Sequence, residues 1–305
     1  MPFTETILDF SQDMTLRHVL LLEYDGSQYC GSQYQEQAGI IRPTLQYAVE
    51  QALSRLGIQA SKVNFCSRTD AGVHAFGQRA HVDLVSTSLK NIPDLKRALN
   101  AVLPADIVIR AYAPLVPPNF NVRRDAVRKW YRYSIRVTDS RAVLQPVNVL
   151  TLKHELDIMC MNVALSHIMG LQNFKSFKCL DTLVVDDLCH VEYANVSRDG
   201  NNIYFDIVAT RFLYKMVRNL AGLLMAVGRN QNPVSPETFK LILDKQDQQF
   251  ASQFAPTASP KGLTLMAIGY PEGMDHFNND EYVQQMNTLV KTEFSSDENL
   301  FCKAS

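Results

Sequence analysis

No stretch of this 305-residue chain stays apolar for long enough to span a bilayer as a helix, so nothing in it calls for a membrane. Its first thirteen residues carry Glu5, Asp9 and Asp13 and neither Lys nor Arg. That composition matches neither a secretory signal nor an Arg-rich transit peptide, and a cytoplasmic location is expected. The cysteines are few and scattered: Cys30, Cys66, Cys160, Cys179, Cys189 and Cys302. They form no Cys-x-x-Cys pair and no His-x-x-x-His accompanies them, so the spacing gives no zinc site. In a chain of this length they read as reduced thiols. A Gly-rich dinucleotide turn and the Gly-x-Ser-x-Gly elbow of a hydrolase are both missing. Charge of one sign is missing too, with 30 basic against 31 acidic residues. The net charge therefore advertises no polyanionic partner.

What is present is local. Arg123, Arg124, Arg128, Lys129, Arg132 and Arg136 crowd one stretch with Trp130, Tyr131 and Tyr133. Basic residues interleaved with aromatics suit a phosphate backbone and stacked bases. Residues 127–137 alternate as a strand. Tyr131 shares a face with Val127, Lys129 and Tyr133, while Trp130, Arg132 and Arg136 share the other. Tyr131 and these arginines reach one ligand only if the strand twists or bulges. After Gly273 the chain leans acidic and reads as a solvated extension, although Tyr282, Met286 and Leu289 are spaced for one face of a short helix.

The length allows two domains. Strands are expected over residues 16–24, 62–66, 78–85 and 107–112, and helices over 43–56 and 94–102. Residues 113–118 are Pro-rich and mark a boundary. Beyond it, the pattern predicts helices over 154–169 and 212–227, a hairpin turning at residues 198–201, a helix opened by Ser235-Pro236 and a closing strand over 263–270. We expect an N-terminal domain over 15–113, a C-terminal domain over 114–273 and an acidic tail over 274–305. The implied class is α+β, with two similar mixed strand-helix domains whose largely antiparallel sheets flank a central cleft.

Arg68-Thr69-Asp70-Ala71-Gly72-Val73-His74 places a carboxylate where the chain turns between two strands. Asp-Ala-Gly also reads simply as a turn, because Asp and Gly favour turns for backbone reasons. Ser67, Asp70 and His74 lie too close together on one loop to be read as a nucleophile–base–acid triad, and His74 is expected to shape the loop.

This motif does not stand alone. Tyr24-Asp25-Gly26-Ser27, the Asp70 loop, Phe120 to Arg123 with Tyr131-Arg132-Tyr133, Asn173 to Phe177, Met216 to Asn219, and Gly262-Leu263 with Tyr270-Pro271 occur in order over about residues 16–272. Together they resemble the tRNA pseudouridine synthase A family. The resemblance implies an isomerase that converts uridine to pseudouridine in the anticodon stem-loop of tRNA, at tRNA positions 38–40, without cofactor or metal. It makes Asp70 the catalytic carboxylate, Arg218 its partner and Tyr131 the ring that packs on the uracil. Arg68 helps to displace the target base, and the cleft between domains binds RNA. Arg123 and Arg132 of the aromatic-basic stretch join Arg68 and Tyr131 as substrate-binding candidates. The expected partners are tRNA and a second copy of the chain, with neither DNA nor membrane. Two positions depart from the pattern: Ser32 stands where relatives commonly carry Trp, and Asn121 where they often carry His.

The chemistry suits these residues. Moving the sugar from nitrogen to carbon oxidises nothing. An aspartate, ordinarily ionised above about pH 4, is a ready nucleophile or proton acceptor near neutrality. A guanidinium opposite it would fix its direction. The competing readings are a tRNA-binding protein or RNA chaperone that does not catalyse, and a synthase acting at other RNA positions.

Overall fold

The computed structural model describes residues 13–139, 146–179, 186–229, 231 and 234–301, with backbone alone at 115 and 292–301. The strands are β1 (Thr15–Tyr24), β2 (Glu36–Gln37), β3 (Ile40–Ile41), β4 (Asn64–Phe65), β5 (His74–Val85), β6 (Ile107–Val116), β7 (Arg128–Val137), β8 (Leu150–Leu152), β9 (Gly170–Asn173), β10 (Leu188–Asp199), β11 (Asn202–Ala209) and β12 (Leu263–Gly269). The α-helices are α1 (Leu45–Arg55), α2 (Leu95–Val102), α3 (Ile158–Ser166), α4 (Met216–Val227), α5 (Pro236–Lys245), α6 (Gln248–Ser252) and α7 (Glu281–Phe301). The class is α+β, and most strand pairs are antiparallel.

The expected halves share one sheet. Its order is β6-β1-β5-β12-β7-β11-β10-β9, with β4 also on β5 and β8 also on β7. Strand β12, from late in the chain, makes the join. It pairs parallel with β5 at Thr264–His74 and antiparallel with β7 at Leu263–Tyr133. Every residue of β12 is buried, as befits a strand covered on both faces. The segment 113–118 is less of a linker than its prolines imply, because β6 continues through Val116. Pro114 is tolerated there because β6 is an edge strand, where a missing N–H breaks no ladder.

Helix ends follow their caps. Thr44 caps α1 by accepting from the Tyr47 N–H, so Pro43 lies just outside the helix rather than in its first turn. Asp157 caps α3, which is four residues shorter at its start than the apolar spacing predicts. Likewise α4 begins at Met216 rather than Phe212. Lys215 precedes it in a left-handed conformation, φ 61°, which stops the helix from extending backward.

The apolar faces of α1, α2, α3, α4 and α5 join one face of the sheet in a continuous core that includes Leu22, Val49, Leu99, Tyr133, Leu165, Leu220 and Phe239. A smaller core lies on the opposite face, where Trp130, Val208 and Met266 meet Val283, Met286 and Val290 of α7. The expectation of a solvated tail is therefore corrected over the described residues. Its apolar stripe packs on the sheet, with Met286 buried and Tyr282 and Leu289 partly so, and Asp275, Asp280 and Glu281 pair with Arg79 and Arg110. Cys302 lies outside the described residues.

Candidate active site

Asp70 sits in the connection between β4 and β5. The turn closes where the Val73 N–H donates to the Asp70 carbonyl, 3.2 Å. Gly72 takes the third position with φ +78°, a conformation that favours glycine. The turn reading and the site reading of Asp-Ala-Gly are thus the same structure. A second segment buttresses it. At Gly31, φ +108°, an added Cβ would lie 2.7 Å from the Thr69 carbonyl oxygen, so the two backbones approach as closely as glycine permits. Next to it Ser32 is buried. Its hydroxyl accepts from the Thr69 N–H at 2.9 Å, and its own N–H donates to the Thr69 carbonyl at 3.1 Å. Ser32, where the resemblance expects Trp, is thereby tied to the Asp70 loop. Gln78 of β5 completes the support, with its amide oxygen accepting from the Ser67 N–H and its amide NH2 donating to the Ser67 carbonyl.

Arg218, on the third residue of α4, crosses to this loop. Its Nη1 donates to Asp70 Oδ2 at 2.7 Å and its Nε donates to the Ala258 carbonyl at 2.8 Å. The two side chains are 14% and 16% exposed, enough shielding for the charge-assisted bond to fix geometry. Tyr131 of β7 is buried beside them. Its hydroxyl shares a 2.8 Å hydrogen bond with Ser67 Oγ, and its ring meets Phe212 edge-on with centroids 5.1 Å apart. Burial pushes the Tyr131 phenol well above its ordinary range, so it enters any chemistry near neutrality as a neutral hydroxyl.

These groups line a cleft of about 730 Å³. Its walls bring Arg68, Arg123, Lys129, Arg211, Lys215 and Arg218 around one carboxylate, Asp70. The chain as a whole is almost neutral; this cleft is strongly cationic. Arg68 and Arg123 are exposed, and among the described residues neither has an ion-pair partner. Lys129 was implicit in the alternation, since it shares the face of Tyr131. Arg211, Lys215 and Tyr214 had no signal in the sequence beyond lying near Arg218.

His74, expected to shape the loop, and Arg132, expected at the substrate, both lie outside this assembly. His74 is buried outside the cleft, its Nδ1 3.0 Å from Asp25 Oδ1, and burial holds its imidazole below the ordinary value. With Ser67 bonded to Tyr131, no triad forms. Arg132 points to the opposite face of β7, as strict alternation requires. It holds Asp206 by two bonds, Nε to Oδ1 at 2.8 Å and Nη2 to Oδ2 at 2.9 Å, and its guanidinium lies over Trp130 and Tyr204. Its placement with the substrate-binding residues is corrected on that ground. Arg132→Ala leaves the buried Asp206 carboxylate with the Trp130 N–H alone, at 2.7 Å. The expected cost is about 2 kcal/mol of stability, read as a fall in Tm of roughly 5 °C, with KM for RNA unchanged. A raised KM at unchanged Tm would return Arg132 to the binding surface.

A single carboxylate, clamped by a guanidinium in a cationic cleft and backed by a buried tyrosine, has the make-up of an enzyme site and the charge to suit a polyanion. A family model described as tRNA pseudouridine synthase matches residues 164–271. Relatives match over most of the chain. The tRNA pseudouridine synthase A of Francisella tularensis is 34% identical over 84% of this chain and 94% of its own length. Those of Geotalea daltonii and Vibrio cholerae are each 35% identical, covering 82% and 84% of this chain and 98% and 92% of their own. The chain belongs to the tRNA pseudouridine synthase A family.

Proposed function

We propose that this protein converts uridine to pseudouridine in the anticodon stem-loop of tRNA, at positions 38–40, with Asp70 as the catalytic carboxylate. The observation that carries the reading is the Arg218–Asp70 pair, which holds Oδ2 and leaves Oδ1 to the substrate at the floor of the cationic cleft. In the reaction the bond from C1′ to N1 breaks and one from C1′ to C5 forms. C5 gives up its proton and N1 gains one, so no electrons are lost or gained. The carboxylate acts on the ribose side as nucleophile or proton acceptor, and either role needs it charged and aimed.

A uridine inside a stem must leave the stack, which costs a few kcal/mol. Arg68, exposed on the same loop, is placed to fill the vacated space. Lys129 and Arg123 meet the backbone phosphates. Tyr131 supplies the packing surface for the flipped uracil. We take the working unit to be a homodimer in the cytoplasm. The family supports the dimer, as do the exposed side chains of Leu171 and Leu188, which share one face of the outermost strands β9 and β10.

Tritium release from tRNA labelled at uracil C5 tests the reading, because forming the new bond must expel that hydrogen. Release by the wild type, with pseudouridine mapped to the anticodon arm, is expected. Tight tRNA binding without release would leave a binding protein instead.

A further inference from the structure

We infer that Tyr214 and Lys215 form a second nucleotide subsite at the mouth of the cleft. It rests on the proposed action on RNA, and it would take the base and phosphate of a nucleotide next to the target uridine. Among the described Phe, Tyr and Trp side chains, only Tyr34 and Tyr214 are exposed. Tyr34 lies outside the cleft and donates its hydroxyl to Glu36. Tyr214 lines the cleft, is 47% exposed, and its hydroxyl bonds to none of the described residues. It stands four residues before Arg218, so the clamp on Asp70 and this ring belong to one short run of chain. A half-exposed ring in a cationic groove is the arrangement on which single-stranded bases stack.

Lys215 supplies the second half. Its Nζ lies 5.2 Å from the Tyr214 ring centroid, on one face, leaving the other face for a base. Three non-glycine residues among those described have positive φ: Ala38, Lys215 and Gln246. Gln246 ends a helix, where the left-handed conformation is common. Lys215 opens one, where an extended residue with a capping side chain is usual, and it makes no side-chain cap. Glycine would adopt this backbone without strain, and serine or aspartate would offer a cap. What lysine brings instead is an ammonium beside an aromatic ring, in a cleft whose other cations surround the reacting site. The stacked base and its phosphate would hold the strand while the neighbouring uridine is extruded toward Asp70.

The test uses the full-length protein and C5-tritiated tRNA. Tyr214→Ala is expected to raise KM and the Kd for tRNA about tenfold, with the loss falling on KM rather than kcat, and Tyr214→Phe is expected to restore the lost affinity. Lys215→Gly is expected to weaken binding several-fold, to lower the slope of log affinity against log salt by about one, and to leave Tm equal or higher. Wild-type KM and Kd in Tyr214→Ala would overturn the subsite. So would a loss shared by Tyr214→Phe, or a loss in Lys215→Gly with an unchanged salt slope. A wild type that binds tRNA but releases no tritium would remove the catalytic reading alone. The Kd of Tyr214→Ala for the same tRNA then still decides whether the subsite exists.

Discussion

Asp70→Asn is expected to lower tritium release from C5-labelled tRNA by on the order of 10⁴-fold or more, with the fold and tRNA binding retained. The substitution changes little besides charge and nucleophilicity. Asparagine has nearly the same shape, and its carbonyl oxygen still accepts the Arg218 Nη1 bond now made to Oδ2. Arg218 also keeps its bond to the Ala258 carbonyl, so the guanidinium stays in place. The stability cost is that of a weakened, partly exposed charge pair, about 1–2 kcal/mol. Binding should not weaken, because removing the one carboxylate among the cleft's lining residues makes the cleft more cationic toward phosphate. The loss therefore falls on kcat. Arg218→Lys separates orientation from charge. Lysine keeps a positive charge near Asp70 but cannot span Asp70 and Ala258 at once with a planar fork, so turnover should fall although the charge balance is unchanged. Turnover by Asp70→Asn at more than a few per cent of the wild-type rate would place the chemistry elsewhere in the cleft.

The site was legible where local geometry makes it. Two short β-prone runs with Asp-Ala-Gly between them describe a strand–turn–strand, and the loop from β4 to β5 is built that way. Strict alternation along residues 127–137 separates Tyr131 from Arg132, and the structure keeps them on opposite faces. The pleat therefore sets Arg132 away from the face that Tyr131 turns to the cleft. The start of α4 was misread because Phe212 and Leu213 continue its apolar spacing. They are apolar because Phe212 packs on Tyr131 and Leu213 is buried at the cleft, not because they are helical. The same holds for Leu156, which is buried in a bridge to Arg229 ahead of α3. What no local pattern carries is a contact between residues far apart in sequence. Arg218 meets Asp70 across 148 positions, and β12 joins β5 to β7 from the far end of the chain.

The acidic segment was misread for the same reason, and its best test is Asp275→Ala, expected to cost about 3–5 kcal/mol. Arg79 of β5 is 1% exposed and Asp275 8% exposed, and they meet at 3.1 Å across 196 positions. The guanidinium also lies 4.4 Å from the Phe277 ring centroid and 5.9 Å from that of Tyr270. Removing the aspartate leaves a buried cation with ring faces and no direct ion-pair partner, since the nearby Asp280 is held by Arg110. Aromatic faces offset only about 1–2 kcal/mol of that penalty. At roughly 2–4 °C per kcal/mol in a chain of this size, Tm should fall by roughly 6–20 °C. Replacing both partners separates the charge from the packing. Arg79→Met alone strands Asp275 beside an apolar side chain, whereas Arg79→Met with Asp275→Leu removes both charges and fills the space. The double variant is therefore expected to be more stable than Asp275→Ala, because the desolvation penalty disappears with the pair. If Asp275→Ala melted within 1–2 °C of the wild type, the segment would be the solvated extension that its composition implies. A large loss would instead identify residues 275–290 as packed on the sheet within the fold, with the acidic side chains serving as counter-ions to arginines on β5 and β6.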